Sequence, residues 1–194
     1  MARKPDAGAR DRILDSARRL FSDSGVHAVG LQQIIDECGC GKNQLYRQFP
    51  SKDDLVLAVM ERCRQDWQGI LDRAAQAHPD DPAGQLLAVV ADTAEQAVAD
   101  GFRGCPLRNA FSEFPDRAHR ANQLVVAHYT QRQTQLRDLA QRAHAHDPDA
   151  LADRIALIID GVNANGPVLG SNGAANSATA FAQDAITAAT RTHR

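Results

Sequence analysis

Gly39-Cys40-Gly41-Lys42-Asn43-Gln44-Leu45-Tyr46-Arg47-Gln48-Phe49 is the stretch that decides how this chain folds. Two glycines around Cys40 break the chain between two short helical segments. Before the break, Leu31, Ile34, Ile35 and Cys38 fall on one helical face, with Gln32, Gln33, Asp36 and Glu37 outside. After it, Leu45 and Phe49 lie four apart and share an inward face, which leaves Lys42, Asn43, Gln44, Tyr46 and Arg47 on the other surfaces. Helices joined sharply through a short glycine-containing turn form the helix-turn-helix layout, whose second helix lies in the major groove of DNA. Upstream, Ile13, Leu14, Ala17, Leu20 and Phe21 recur one turn apart while Arg12, Arg18 and Arg19 stay wet. The pattern predicts helices over Ala9–Ser24, stopped by Gly25, then Leu31–Cys38 and Lys42–Gln48, enough to close a small core.

Pro50 ends the third helix. Ser51 is a good N-cap, and Asp53 and Asp54 favour the dipole of a fourth helix reaching about Gln76 along Leu55, Val56, Val59, Met60, Cys63, Trp67, Ile70 and Leu71. His78-Pro79-Asp80-Asp81-Pro82 reads as a linker, and Leu86, Leu87, Val90, Ala94 and Val98 mark a fifth helix. Gly104 and Pro106 make the next stretch irregular before a short helix that Pro115 ends. A longer helix follows from about Arg117 to Ala145, closed by His146-Asp147-Pro148. The last two helices carry Leu151, Ile155, Ile158, Ile159 and Val162, then run over Ala178–Thr190. The predicted fold is all-α with about nine helices: a three-helix DNA-binding head in residues 1–52, and a helical ligand-binding and dimerisation body in residues 53–194.

Composition agrees. Apolar residues make up 43% of the 194 and aromatics only 5%, so the β-branched and aromatic runs that favour strands are scarce. No apolar run nears the roughly 20 residues of a membrane span, and the start lacks a secretory apolar stretch, which predicts a cytoplasmic chain with no membrane contact. Residues 1–52 hold nine Lys/Arg against six Asp/Glu, a net +3; the whole chain is −2, so the remainder carries −5. A basic head on an acidic body suits a DNA reader, because neutralising phosphates supplies most non-specific affinity. Cys38, Cys40, Cys63 and Cys105 contain no Cys-x-x-Cys pair and read as free thiols. Cys38 continues an apolar face as a small hydrophobe, against the reading of Cys38-x-Cys40 with a distant histidine as a metal site. His144-x-His146 points to two different helix faces. The expectation is no metal, no cofactor and no catalytic residue: there is no phosphate-cradling glycine loop, no Gly-x-Ser-x-Gly and no His-Glu-x-x-His.

Arg12-Ile13-Leu14-Asp15-Ser16-Ala17-Arg18-Arg19-Leu20-Phe21, then Gly25, Ile34, Gly39, Leu45-Tyr46, Phe49, Lys52, Asp53 and Leu55, resemble the head of the tetracycline-repressor (TetR) family of bacterial transcriptional regulators over some 45 residues. The body is similar, more loosely, to members in which Gly104-Cys105-Pro106-Leu107 precedes Glu113-Phe114-Pro115. The resemblance implies a homodimer with two reading heads and a helical body holding a small, largely apolar ligand. Three features depart from it. Val29-Gly30 and Gly41 stand where the family often has hydroxyls, Asn43-Gln44 replaces a small pair, and Pro167 falls where the eighth helix would continue. Backbone N–H groups at helix starts can replace the hydroxyls as phosphate contacts. Asn and Gln can instead bond an adenine edge, worth about 1–3 kcal/mol of base discrimination.

On that footing Lys42, Arg47 and Lys52 are the phosphate candidates, Gln33, Asn43 and Gln44 the base-edge candidates, and Tyr46 packs on the backbone sugar. Arg3, Lys4 and Arg10 are expected to form an arm along a groove. Trp67, Phe102, Cys105, Phe111, Phe114, His128 and Tyr129 are the candidates for a ligand pocket. Leu151, Ile155, Ile158, Ile159, Val162, Phe181 and Ile186 are expected to form a four-helix dimer interface reading a near-palindromic double-stranded operator, with repression released by ligand. Two other readings stay open. One is a helical small-molecule-binding or protein-interaction module without specific DNA binding; the other is an all-α enzyme using Cys105, His128 or Tyr129.

Overall fold

The computed structural model describes residues 8–191, so Arg3 and Lys4 lie outside the described residues. Among the described residues nine α-helices follow one another: α1 (Ala9–Ser24), α2 (Leu31–Cys38), α3 (Lys42–Gln48), α4 (Lys52–Ala77), α5 (Pro82–Ala97), α6 (Pro106–Glu113), α7 (Arg120–Arg142), α8 (Pro148–Leu169) and α9 (Ala178–Thr190). No strand occurs among the described residues, so the chain is all-α. None of their helices is long and apolar enough to cross a membrane.

The residues pack as two compact units, and the chain passes between them more than once. The first unit holds the described residues up to Arg64 together with Pro106–Val125. Ile13, Ala17, Ile34, Leu45 and Leu55 are wholly buried in it, joined by Leu107, Ala110 and Phe114 from α6 and the residue after it. Ser51 caps α4 as expected, its hydroxyl oxygen accepting the Asp54 N–H at 3.1 Å. Arg10 is no part of a loose arm. It belongs to α1, and its guanidinium lies 4.6 Å from the centre of the Phe49 ring.

The second unit comprises Gln65–Cys105 and Val126 onward. Its core joins Trp67 and Ile70 of α4, Leu86, Val89 and Val90 of α5, Leu136 of α7, Leu151, Ile155 and Ile159 of α8, and Ala182 and Ile186 of α9. Helices α5 and α8 touch at Gly166, where a β-carbon would lie 2.4 Å from the Ala97 carbonyl oxygen. Both α5 and α8 begin on Asp-Pro: the Asp81 carboxylate accepts the Gly84 N–H at 2.9 Å and the Asp147 carboxylate accepts the Ala150 N–H at 3.0 Å, with proline in the first turn. The stretches read as linkers are therefore also helix starts.

Both ends of α7 differ from the sequence reading, and one boundary that it left open is fixed. Helix α8 runs through Pro167 to Leu169, and Gly170 closes it by donating to the Gly166 carbonyl. Helix α7 ends at Arg142 because His144 takes a left-handed backbone, φ 56°, while the Ala145 N–H reaches back to the Ala140 carbonyl at 3.1 Å. It starts at Arg120 because the Asp116 carboxylate first accepts the Ala118 N–H at 2.9 Å, a local turn that competes with helix.

Candidate nucleic-acid interface and body sites

Helix α3 is seven residues long and divides cleanly by face. Leu45 and the following Phe49 are sealed in the first unit's core, while Lys42, Asn43, Arg47 and Tyr46 are exposed, Tyr46 by 42% of its surface. Gln44 and Lys52 are half-buried. The α2–α3 elbow depends on Gly39, whose φ of 61° and ψ of 25° place it in the left-handed region, with its N–H on the Ile35 carbonyl. No neighbouring atom would crowd a β-carbon there, so the requirement for glycine is one of backbone conformation alone. Gly41 then opens α3, its carbonyl accepting from Gln44 at 2.8 Å and Leu45 at 3.1 Å.

Gln33 has a second task. Its side-chain oxygen accepts the Gly30 N–H at 2.7 Å, a backward cap on α2. A bidentate adenine contact uses both the oxygen and the nitrogen of an amide, so in Gln33 it would share the oxygen with this cap.

One link in the first unit has no signature in the sequence. The His27 N–H donates to the Glu113 carboxylate at 2.9 Å, its Nε2 lies 2.8 Å from the Glu113 carbonyl, and its ring sits 5.0 Å from Phe114. Phe114 stacks in turn on His119 at 4.5 Å. The end of α6 is thereby fastened to the loop between α1 and α2. Residues 86 apart give no periodic signal that would pair them.

The predicted ligand residues divide between the two units. Phe111 is exposed, with the Arg108 guanidinium 6.0 Å from its centroid, and Phe114 is core of the first unit. In the second unit, the Trp67 indole N–H donates to Gln135 at 2.8 Å, and His128 is buried with its ring edge-on to both Trp67 and Tyr129. Phe102 packs against the core and Cys105 is half-buried. The sequence reading missed Arg132, only 4% exposed, whose guanidinium lies 4.4 Å from the Tyr129 ring centre and forms two hydrogen bonds to Asp160, at 2.8 and 3.0 Å. Burial opposes its charge, but the bonds to Asp160 outweigh that and raise its pKa above the ordinary value. A separate open cleft of about 520 Å³ is lined by residues including Gln68, Asp72, Gln85, Gln135, Asp138 and Arg142. None of the seven predicted ligand residues lines it, and it is more polar than the aromatic pocket expected.

The dimer candidates need correcting. Leu151, Ile155, Ile159, Val162 and Ile186 already lie inside the second unit's own core, so they have almost no surface left to give a partner. Ile158 is half-buried, and Phe181 alone is prominent, at 55% exposed. The outward faces of the same two helices carry Leu157, Gly161, Ala164 and Val168 on α8, and Phe181 and Ala188 on α9. The largest apolar side chains drew the reading to the inward stripe.

Residues 13–59, which span the first two helices, the elbow, α3 and the start of α4, match the family model described as bacterial regulatory proteins, tetR family. The HTH-type transcriptional activator FasR of Mycolicibacterium smegmatis is 42% identical over 60 residues, 31% of this chain and 27% of that protein. The HTH-type transcriptional repressor ComR of Escherichia coli is 29% identical over 153 residues, 72% of this chain and 67% of that protein. The first curated relatives are thus matched over only about a quarter to a half of their length. A crystal structure of a TetR-family transcriptional regulator from Streptomyces coelicolor superposes with a TM-score of 0.89 at 27% identity, over 95% of this chain and 97% of that one. The head therefore matches the family model of tetR-type bacterial regulatory proteins, and the fold over 95% of the chain is that of a TetR-family transcriptional regulator.

Proposed function

We propose that this protein is a cytoplasmic, DNA-binding transcriptional regulator that acts as a homodimer on a near-palindromic duplex operator and is released from it by a small molecule. The observation that carries the reading is α3: its apolar face is locked into the core while Lys42, Asn43, Tyr46 and Arg47 remain exposed beside an elbow whose left-handed turn favours glycine. In this reading residues 1–52 are the DNA-binding domain and residues 53–194 the ligand-binding and dimerisation domain. Lys42, Arg47 and Lys52 hold phosphates, Asn43 and Gln44 read base edges, Tyr46 packs on the sugar, and Gln33 braces the elbow.

The dimer forms through the outward faces of α8 and α9, around Leu157, Ile158 and Phe181. The ligand enters the second unit, where Trp67, Phe102, Cys105, His128 and Tyr129 supply ring surface and hydrogen bonds. Its signal has a physical route in α4, which runs unbroken from that unit to Lys52, and in the Glu113–His27 fastening of α6 to the head. Release requires the ligand to favour the unbound geometry, by about 1–3 kcal/mol in a typical switch. FasR is named an activator and ComR a repressor; repression is the proposed sign here.

Selection of bound duplexes from a random pool tests binding, symmetry and half-site spacing together. The expected product is an inverted repeat with half-sites one or more helical turns apart, about 34–36 Å per turn. Failure to enrich any duplex at moderate salt overturns the proposal.

A further inference from the structure

The elbow of the head contains two thiols in contact. Cys38 Sγ lies 2.7 Å from Cys40 Sγ and 3.6 Å from the Ile35 carbonyl oxygen. Only Gly39 separates the two residues, and its left-handed backbone turns both side chains to the same side. Cys38 is half-buried and within reach of solvent; Cys40 is buried in the first unit. Nothing in DNA reading calls for sulfur at either position, and the apolar face of α2 would be served as well by alanine or valine.

We propose that Cys38 and Cys40 form a reversible disulfide when hydrogen peroxide reaches the elbow, and that closing it displaces the start of α3 and weakens DNA binding. The effect on binding rests on the reading of α3 given above; the bond itself does not. In the first step the Cys38 sulfur, as thiolate, attacks a peroxide oxygen. The O–O bond breaks, hydroxide leaves and takes up a proton as water, and Cys38 becomes a sulfenic acid. In the second step the Cys40 sulfur attacks the Cys38 sulfur, the S–O bond breaks, and the departing hydroxyl leaves as water with the Cys40 proton. Two thiols and one peroxide thus give one disulfide and two waters, with the sulfurs oxidised and the peroxide reduced. The order follows from the surroundings: burial, then the hydrogen bond with Cys38, push the Cys40 thiol up to about 12, so it keeps its proton while the more accessible Cys38 reacts first.

The mechanical consequence follows from position. A disulfide holds its sulfurs about 2 Å apart, nearer than they stand here. Drawing Cys40 toward Cys38 pulls it from its place in the core and carries with it Gly41, the residue whose carbonyl anchors the first turn of α3. Axis and register of a seven-residue helix shift together, and base contacts tolerate little of that.

The test uses the full chain, reduced and then treated with hydrogen peroxide. Tryptic cleavage isolates residues 20–42, which contain Cys38 and Cys40 and neither of the other cysteines. The expected result is loss of two hydrogen atoms from this peptide, reversed by dithiothreitol. Affinity for duplexes selected by the reduced protein should fall at least tenfold, and amide exchange over 42–48 should quicken. Cys38→Ala, at a half-buried position that leaves the Cys40 packing intact, should bind DNA and ignore peroxide. Absence of the internal bond, oxidation of the pair only to sulfinic or mixed-disulfide forms, or a closed bond with unaltered affinity and exchange overturns the inference. Should the reduced protein select no duplex, the DNA-binding reading fails, while peptide mass and amide exchange still decide whether the bond forms and moves α3.

Discussion

Arg47 stands exposed in the last turn of α3, with its charge available to a phosphate. Replacing it with alanine should weaken all duplexes alike and flatten the plot of log affinity against log salt by about 0.9 for each phosphate lost, about 1.8 for the two heads of a dimer. An unchanged slope would place Arg47 off the DNA. Cys40 makes a second prediction. Its folded pKa is raised, so between about pH 9 and about pH 12 the unfolded chain loses this proton while the folded chain keeps it. Stability from this group is full below that window and lost on passing up through it. Cys40→Ala should therefore make alkaline unfolding less steep across those pH values in a denaturant titration, whatever it does to stability at neutral pH. At this scale the sequence is legible where a residue's partners are its helical neighbours. Leu45 and Phe49 could be assigned inward, and Lys42, Asn43 and Arg47 outward, because four-residue spacing fixes a face. Arg132 with Asp160 could not, since an ion pair between separate helices leaves two ordinary polar letters 28 apart.

Elements repeat the lesson at longer range. Helix starts at Ser51, Asp81-Pro82 and Asp147-Pro148 are chemically marked, and the structure places helices there. Ends set by tertiary packing are not: nothing about His144 announces a left-handed residue, and Pro167 looks like a terminator until its place in the final turn is known. Gly166 shows the same limit. Its lack of a side chain matters only because Ala97 of α5 lies against it. Gly166→Ala would place a carbon well inside contact distance of a backbone oxygen, which cannot rotate away. Overpacking of this kind costs about 1–3 kcal/mol, and the urea midpoint should fall accordingly with little change in slope. A midpoint equal to the parent's would mean that α5 and α8 separate freely there.

For the whole molecule, the proposed dimer is the feature least readable from one sequence, because burial within a chain and burial between chains select the same residue types. Amphipathic spacing pointed to the inward stripe of α8 and α9, which the second unit's own core already uses. The double change Leu157→Glu and Phe181→Glu adds charge to the outward faces and leaves the core stripe alone, so sedimentation should report a folded monomer with greatly weakened operator binding. If the pair stays dimeric, the partner docks elsewhere. The first unit has a separate consequence, because Pro106–Val125 completes a unit that begins with α1. On the ribosome the reading head cannot finish assembling when its own three helices emerge; at about 5–20 residues per second the missing segment is complete roughly 4–15 s later. Hybrids that exchange heads between relatives by a single crossover after α3 therefore inherit a mismatched α6, and transplanting 106–125 along with the head should restore their folding.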